Sequence, residues 1–165
     1  MPEGDDVMQQ KCKMDYSEYD DQYALPGDMD SPSGYADPYF HITEEARLPF
    51  IAFMGLRGTI AEKPGYERHT GDGVYVTTSP KCAIMWGESF QIEGRLNDKG
   101  CLAILRIKLP PDFSDEPVDY DSSGSNYIQD CASYVIRDDI PSKYIEVKTP
   151  KGWVNVDELN LLGGQ

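Results

Sequence analysis

Four cysteines and two histidines are the residues of this 165-residue chain best suited to metal binding or disulfide chemistry. The histidines are His41 and His69, and no two cysteines form a Cys-x-x-Cys pair; the cysteines are Cys12, Cys82, Cys101 and Cys131. Zinc sites usually draw their ligands from closely spaced pairs, so this spacing argues against a metal site. Disulfide frameworks are typical of shorter secreted chains. We therefore predict no metal site and four free, partly buried thiols.

Three short motifs with chemical potential occur in a fixed order along the chain. The first is Phe40-His41-Ile42-Thr43, the second is Gly71-Asp72-Gly73-Val74-Tyr75, and the third begins at Ser133 in Ser-Tyr-Val-Ile. A single histidine in a predicted strand is usually a structural residue, so no one motif decides the function. The order and spacing of the three motifs carry more information than each motif alone.

This succession resembles the ADP-ribosyltransferase superfamily, and in particular its His-Tyr-Glu branch, which includes poly(ADP-ribose) polymerases and diphtheria-like toxins. The resemblance extends over about residues 39 to 148. It implies an α+β fold, a split β-sandwich of two packed, mostly antiparallel sheets with two short helices around an NAD cleft. The cleft is expected between the His41 strand and the Tyr75 strand. The implied activity is NAD-dependent mono-ADP-ribosylation of a protein or small acceptor.

The first motif matches the family strand that carries His-Gly-Thr or His-Gly-Ser. By this resemblance, His41 holds the ribose, and the strand at Ile42 and Thr43 holds the nicotinamide amide. A neutral imidazole can hydrogen-bond a ribose hydroxyl, and strand backbone groups can bind a planar amide. The chain departs from the family at Ile42, where the family has glycine. Gly55-Leu56 matches the Gly-Leu that ends the first family helix.

The second motif matches the family pattern Gly-x-Gly-Ile-Tyr-Phe-Ala. In the helix that follows, Ala83 and then Trp86 match the small residue and the second aromatic of the family. The resemblance implies that Tyr75 packs on one face of the nicotinamide, with Trp86 or Met85 on the other. In the preceding loop, Arg68 or His69 could meet the pyrophosphate; the alternative is that Arg68 is a solvated loop cation. The alternative is that Tyr75 and Trp86 are ordinary core residues.

The third motif departs from the family at its catalytic position. Ser133 occupies the place of a glutamate that would orient the ribose hydroxyl and stabilise positive charge on the ribose. Serine can hydrogen-bond but cannot neutralise charge, which argues against polymer synthesis more than against single transfer. Asp130 and Gln129 are close enough in sequence to substitute, although alternation along a strand does not guarantee that Asp130 points as Ser133 does.

Other functions remain open at this point. The same domain could bind NAD, ADP-ribose or a protein partner without turnover, as the missing glutamate suggests. The Arg-Ser-Glu branch of the superfamily is disfavoured because no Glu-x-Glu or Gln-x-Glu pair occurs in the last third of the chain. RNA 2'-phosphotransferases resemble the segment Ile140-Pro141-Ser142-Lys143-Tyr144, but they use a second histidine where this chain has Tyr75.

The elements that must position these residues are short strands separated by turns, typical of an α+β domain. We predict strands at residues 39–43, 73–78, 101–109, 134–137, 144–148 and 153–156, and helices at 44–54 and 81–88. Five apolar strand residues are predicted to be buried: Ile104, Leu105, Ile107, Val135 and Ile145.

Residues 1–38 contain ten acidic and two basic side chains and are predicted to form a flexible arm. The tyrosines of this arm could dock on the domain. Residues 39–165 are predicted to form the domain.

The formal net charge of −14 disfavours a nucleic-acid partner, because an acidic surface repels a phosphate backbone. The acidic arm could instead bind a basic partner. No segment is apolar enough to predict a membrane span, and the first residues lack a secretory signal pattern. We therefore expect a cytoplasmic protein, or an effector or toxin delivered to a target-cell cytosol by a signal-independent route.

Overall fold

The computed structural model describes residues 12, 17–19, 21–57, 73–94, 96, 100–117 and 131–163. Within them, seven antiparallel strands form one sheet in the order β4-β5-β2-β1-β3-β6-β7. The strands are β1 (Tyr39–Glu44), β2 (Val74–Thr77), β3 (Leu102–Ile107), β4 (Glu116–Pro117), β5 (Ser133–Ile136), β6 (Ile145–Thr149) and β7 (Gly152–Asn155). The predicted α+β class is confirmed.

The strands form a single sheet rather than the two packed sheets predicted from the sequence. β1 pairs with β3 along its whole length, from Tyr39–Ile107 to Glu44–Leu102. By contrast, β1 and β2 share one registered pair, Phe40 with Thr77. We call this short contact the β1–β2 junction. The sheet is continuous across it, and the junction is the place where the two halves of the sheet are least connected.

Alternation along the strands divides the core between the two faces of the sheet. The first face carries Val74 and Val76 of β2 with Leu105 and Ile107 of β3, and α1 and α3 cover it. The second face carries Phe40, Ile42 and Ile104 and is covered by α2 and by Tyr19, Leu25 and Met29 of the N-terminal segment. Every residue of β3 is buried, because this strand is covered on both faces. The five predicted core residues are all buried.

Three α-helices pack on this sheet: α1 (Leu48–Met54), α2 (Pro80–Ile92) and α3 (Val156–Gly163). The start of α2 agrees with the sequence, because the Ser79 hydroxyl accepts the Cys82 amide at 3.1 Å and Pro80 opens the helix. At the end of α1, Gly55 has a φ of 72°, and a Cβ there would lie 2.1 Å from the Ile140 carbonyl oxygen. Only glycine permits this turn and the close approach.

The helix α3 follows the last predicted strand, in a part of the chain for which no helix is predicted from the sequence. Its start has a cap that the sequence pattern alone does not make obvious, since the Asn155 side-chain oxygen accepts the Asp157 amide at 2.8 Å. Val156 is fully buried and Leu159 packs on the core of the first face. Burial of these apolar side chains, not intrinsic helix propensity, accounts for the extra helix.

The acidic N-terminal segment packs on the second face of the sheet from Tyr19 onward. Tyr19 and Asp28 are 1% and 2% exposed. The Asp28 carboxylate accepts hydrogen bonds from the Tyr19 hydroxyl at 2.8 Å, the Leu25 amide at 2.8 Å and the Trp153 indole at 2.9 Å. The segment before the predicted domain boundary at residue 38 is therefore packed on the domain in part. Tyr19 docks on the domain, as was considered for the tyrosines of the arm. Residues 1–11 lie outside the described residues.

Arg106 of β3 also binds the N-terminal segment. Its guanidinium donates to the Gly27 carbonyl at 2.8 Å and the Asp28 carbonyl at 3.1 Å, and its Nε donates to Glu146 at 2.7 Å. The guanidinium carbon also lies 4.6 Å from the centre of the Trp153 ring. A buried arginine is tolerated here because a carboxylate, two carbonyls and an aromatic face replace its water.

Replacement of Asp28 by alanine is expected to lower the free energy of unfolding by about 3 kcal/mol, because three donors lose their acceptor in a buried site. Urea unfolding at neutral pH measures the loss. Asp30→Ala is the matched control, since Asp30 is an exposed aspartate of the same segment and its loss should cost less than about 0.5 kcal/mol. Equal stability of the two variants would contradict the packing of this segment.

Tyr19 is expected to make the protein sensitive to alkali. Burial, and then the hydrogen bond to Asp28, raise the pKa of Tyr19 well above its ordinary value of about 10. In the unfolded chain Tyr19 loses its proton near pH 10, whereas in the folded chain it keeps it. Stability therefore falls as the pH rises above about 10, by up to about 1.4 kcal/mol per pH unit from this group.

The measurement is urea unfolding of the wild type and Tyr19→Phe between about pH 8 and 11. The difference in stability between the two proteins should shrink as the pH rises, because phenylalanine has no proton to lose. A constant difference across this range would show that the Tyr19 hydroxyl ionises as readily in the folded chain as in the unfolded chain.

Candidate functional site

The three motifs singled out in the sequence lie on three neighbouring strands. His41 is in β1, Tyr75 is in β2 and Ser133 is in β5, and these strands are adjacent in the order β5-β2-β1. Tyr75 pairs with Val135, and Thr77 pairs with Ser133. Residues separated by up to 92 positions in the sequence are thus collected on one part of the sheet, around the β1–β2 junction.

His41 crosses the β1–β2 junction with its ring. Its Nδ1 lies 2.7 Å from the Tyr75 carbonyl oxygen. A carbonyl can only accept, so Nδ1 carries the proton, and Nε2 is the acceptor atom of the neutral ring. This contact fixes the tautomer and links the two strands beyond their single registered pair. It also connects the two motif residues through the Tyr75 backbone rather than through the Tyr75 ring.

Strand alternation places the side chains of the site on two faces. Phe40 and Ile42 belong to the second face, so His41 and Thr43 project on the first face. Tyr75 packs against the core of the second face. The His41 ring and the Tyr75 backbone therefore meet at the junction, whereas the His41 and Tyr75 side chains project on opposite faces of the sheet.

Ile42 is buried against α2. A Cβ added to Gly87 of α2 would lie 2.7 Å from the Ile42 side chain and 2.9 Å from that of Leu102. The absence of a side chain at Gly87 thus provides the space that Ile42 fills. The Ile42 side chain is accommodated by close packing between β1 and α2, and it belongs to the core.

Trp86 and Ala83 also lie in the core between α2 and the sheet. They are 3% and 0% exposed, and Tyr19 and Phe40 belong to the same cluster. The structure agrees with the alternative that Trp86 is a core residue, whereas Tyr75 remains partly exposed. The Trp86 indole nitrogen is buried and has no hydrogen-bond partner among the described residues.

Ser133 is partly buried at the start of β5, beside Thr77 of β2. Thr77 is fully buried, and its hydroxyl donates to the Ala132 carbonyl at 2.7 Å, which fixes the backbone immediately before Ser133. Thr77 was not among the predicted site residues, and its β-rich sequence context gave no sign of this role. Asp130 and Arg68, together with Gln129, lie outside the described residues.

The prediction of free thiols is wrong, because all four cysteines form disulfides. Cys12 is bonded to Cys101 and Cys82 to Cys131, with Cα–Cα distances of 5.2 and 5.7 Å. The fold brings together cysteines that are far apart in sequence, and these distances suit a disulfide. The even number of cysteines was the available signal, but it does not reveal the pairing.

The Cys82–Cys131 disulfide joins two elements of the candidate site. Cys82 precedes Ala83 in α2, and Cys131 lies two residues before Ser133. The bond therefore fixes the entry to β5 against the helix that packs on β1. Near the other disulfide, Glu45 lies within 4.8 Å of both sulfurs. Because those sulfurs are bonded to each other, this group offers no thiolate to a metal ion.

No helix in the described part of the chain has the length and apolar character needed to cross a membrane. Comparisons with family models, with curated proteins and with solved structures find no match to this chain.

We expect no free thiol in the purified, oxidised chain. Alkylation with iodoacetamide in denaturant without reductant should modify no cysteine, and peptide mapping should find the two pairs described above. The double variant Cys82→Ala/Cys131→Ala should lose about 4 kcal/mol of stability, because the bond closes a loop with a sequence separation of 49. Alkylation of Cys82 or Cys131 in the wild type would contradict this pairing.

Proposed function

We propose that this protein is an NAD-dependent mono-ADP-ribosyltransferase acting on a protein or small acceptor. The observation that carries the proposal is the placement of His41, Tyr75 and Ser133 on three adjacent strands, with the His41 ring bonded to the Tyr75 backbone at 2.7 Å. Three motifs that resemble one family, and that are distant in sequence, converge at the β1–β2 junction. A chance resemblance of short motifs gives no reason for such convergence.

The proposed role assigns a ribose hydroxyl of NAD to the His41 ring. Because Nδ1 donates to the Tyr75 carbonyl, a neutral ring would make this ribose contact at Nε2, as the acceptor. Tyr75 contributes its carbonyl, which orients the His41 ring; the Tyr75 ring projects on the opposite face of the sheet and is not assigned a contact with a nicotinamide bound beside His41. Trp86 supports this arrangement from the core and does not itself contact the substrate. Ser133 can hydrogen-bond the ribose but cannot stabilise the positive charge that develops as nicotinamide leaves.

A second candidate function is binding of NAD or ADP-ribose without turnover. The specific observation in its favour is Ser133, which stands at the start of β5 where the family places a carboxylate. Thr77 beside it adds a hydroxyl that is already engaged with the Ala132 carbonyl. Neither group carries a charge, so no acidic group of the described site performs the role of the family glutamate.

The two disulfides alter the compartment that we propose for this activity. Cytosolic thiols are kept reduced, and stable disulfides are typical of proteins that mature in oxidising environments. We therefore propose an exported effector- or toxin-like transferase that folds in an oxidising compartment, in place of a resident cytoplasmic enzyme. The protein assayed for activity should accordingly be produced under oxidising conditions.

Nicotinamide release from NAD by the oxidised protein tests the proposed function. His41→Ala should lower the rate at least about a hundredfold, because it removes the group that orients the ribose. Tyr75→Phe, which keeps the backbone carbonyl that orients His41 and the packing of the ring, should retain most activity. The matched control is Glu88→Gln, an exposed position of α2 whose change should leave release unaltered. Calorimetric titration with NAD is performed on each protein.

The outcomes separate the two candidate functions. Release that is lost in His41→Ala supports the transferase. NAD binding without release supports the non-catalytic domain, and in that case Ser133→Glu tests whether a carboxylate at this position introduces turnover. Release that is equal in wild type and His41→Ala, or absence of both binding and release, would reject the assignment of His41 and leave the resemblance to the family as a likeness of motifs.

A further inference from the structure

An apolar cavity of about 300 Å³ opens at the end of the sheet where the β6–β7 hairpin turns. None of the residues predicted to bind NAD lines this cavity. Its apolar lining comes from α1, β3, β6, β7 and α3 through Leu48, Ala103, Val147, Val154 and Leu159. Leu48, Ala103 and Val147 belong to the core of the first face, so the cavity continues the core outward between α1, α3 and the hairpin.

Four polar residues also line the cavity, Glu45, Lys148, Thr149 and Lys151, and the side chains of Lys148 and Thr149 make contacts outside it. The Lys148 ammonium lies 5.7 Å from the Tyr19 ring and 5.5 Å from the Trp153 ring, on the second face of the sheet. The Thr149 hydroxyl donates to the Gly152 carbonyl and accepts the Lys151 amide, both within the hairpin. The surface available to a ligand is therefore almost wholly apolar, which excludes a charged ligand from its interior.

The cavity is open to solvent at the hairpin and continuous with the core of the first face at its inner end. A ligand that buries its apolar surface against this lining gains the free energy of removing both surfaces from water. Apolar concave sites of about this volume are typical of small-molecule sites.

We propose that this cavity binds an uncharged, apolar small molecule, such as a medium-chain alcohol or a compact aromatic compound. At the packing density of a protein core, the volume accepts about ten to fifteen non-hydrogen atoms. The proposal goes beyond the proposed transferase function and does not depend on it. The ligand body lies against Val147 and Val154, which are paired across β6 and β7.

The test uses the uncharged fluorescent probe N-phenyl-1-naphthylamine with the full-length oxidised protein. We expect saturable binding at one site per chain. Primary alcohols should displace the probe, with affinity rising about fourfold for each added methylene until the cavity is filled. Decanoate and decyltrimethylammonium, which add a charge to a similar chain, should be at least about tenfold weaker than decanol.

Two variants fill the cavity, and one matched variant does not. Val154→Phe and Leu159→Trp add bulk at partly exposed lining positions and should each weaken probe binding at least about tenfold. Ile92→Phe adds an aromatic ring at an 86% exposed apolar position of α2 outside the cavity and should bind as the wild type does. Circular dichroism and thermal unfolding establish that each variant is folded.

Any of three results would overturn the proposal. These are the absence of saturable probe binding to the wild type, equal or stronger displacement by the charged competitors, and wild-type binding by both folded filling variants. If the variants do not fold, the comparison of decanol with decanoate and decyltrimethylammonium on the wild type still decides. NAD should not displace the probe, so this result is independent of the outcome for the transferase.

Discussion

The pairing of β1 with its two neighbours is the constraint on which the rest of this structure depends. β1 is joined to β3 by six registered pairs and to β2 by one. The sheet therefore consists of a tightly paired part, β1-β3-β6-β7, and a second part, β2-β5-β4, that is held to it in other ways. The helix α2 packs on β1 and β2, and the Cys82–Cys131 disulfide ties α2 to the entry of β5. The His41 ring adds a hydrogen bond across the same junction.

This arrangement explains why the candidate site lies where it does. Fully paired strands engage their backbone groups with each other, whereas a short contact between strands leaves backbone groups for side chains or a ligand. The Tyr75 carbonyl is an example, since it accepts from a side chain, His41, instead of a strand amide of β1. Positions that bind small molecules commonly lie at such interruptions of a sheet, supported by rigid elements on both sides.

Strand positions and the buried core could be predicted from the sequence, because apolar alternation reports burial directly. Ile104, Leu105 and Ile107 stand in a run that only a strand covered on both faces would have. The single sheet could not be predicted, since register and the number of pairs between β1 and β2 are tertiary properties. The third helix could not be predicted, because it is stabilised by burial of Val156 and by the cap at Asn155, both of which depend on the folded structure.

Part of the candidate site could be predicted from the sequence. The motifs at His41, Tyr75 and Ser133 identified the strands that meet, but not the faces to which their side chains project. Trp86 lies in a core cluster that also contains Tyr19, from a segment whose acidity suggested an unpacked arm. Composition describes the average character of such a segment, whereas a single buried carboxylate with three donors decides whether it packs.

The burial of Asp28 against Trp153 also has a consequence for synthesis of the protein. The two residues are 125 positions apart, so Asp28 emerges from the ribosome long before Trp153 has been synthesised. At about 5–20 residues per second, the delay is roughly 6 to 25 seconds. During this interval the N-terminal segment, with its uncompensated negative charge, cannot complete its native contacts. The last hairpin of the chain therefore determines when the first segment takes its place, and a chain arrested before Trp153 would display that segment to other molecules.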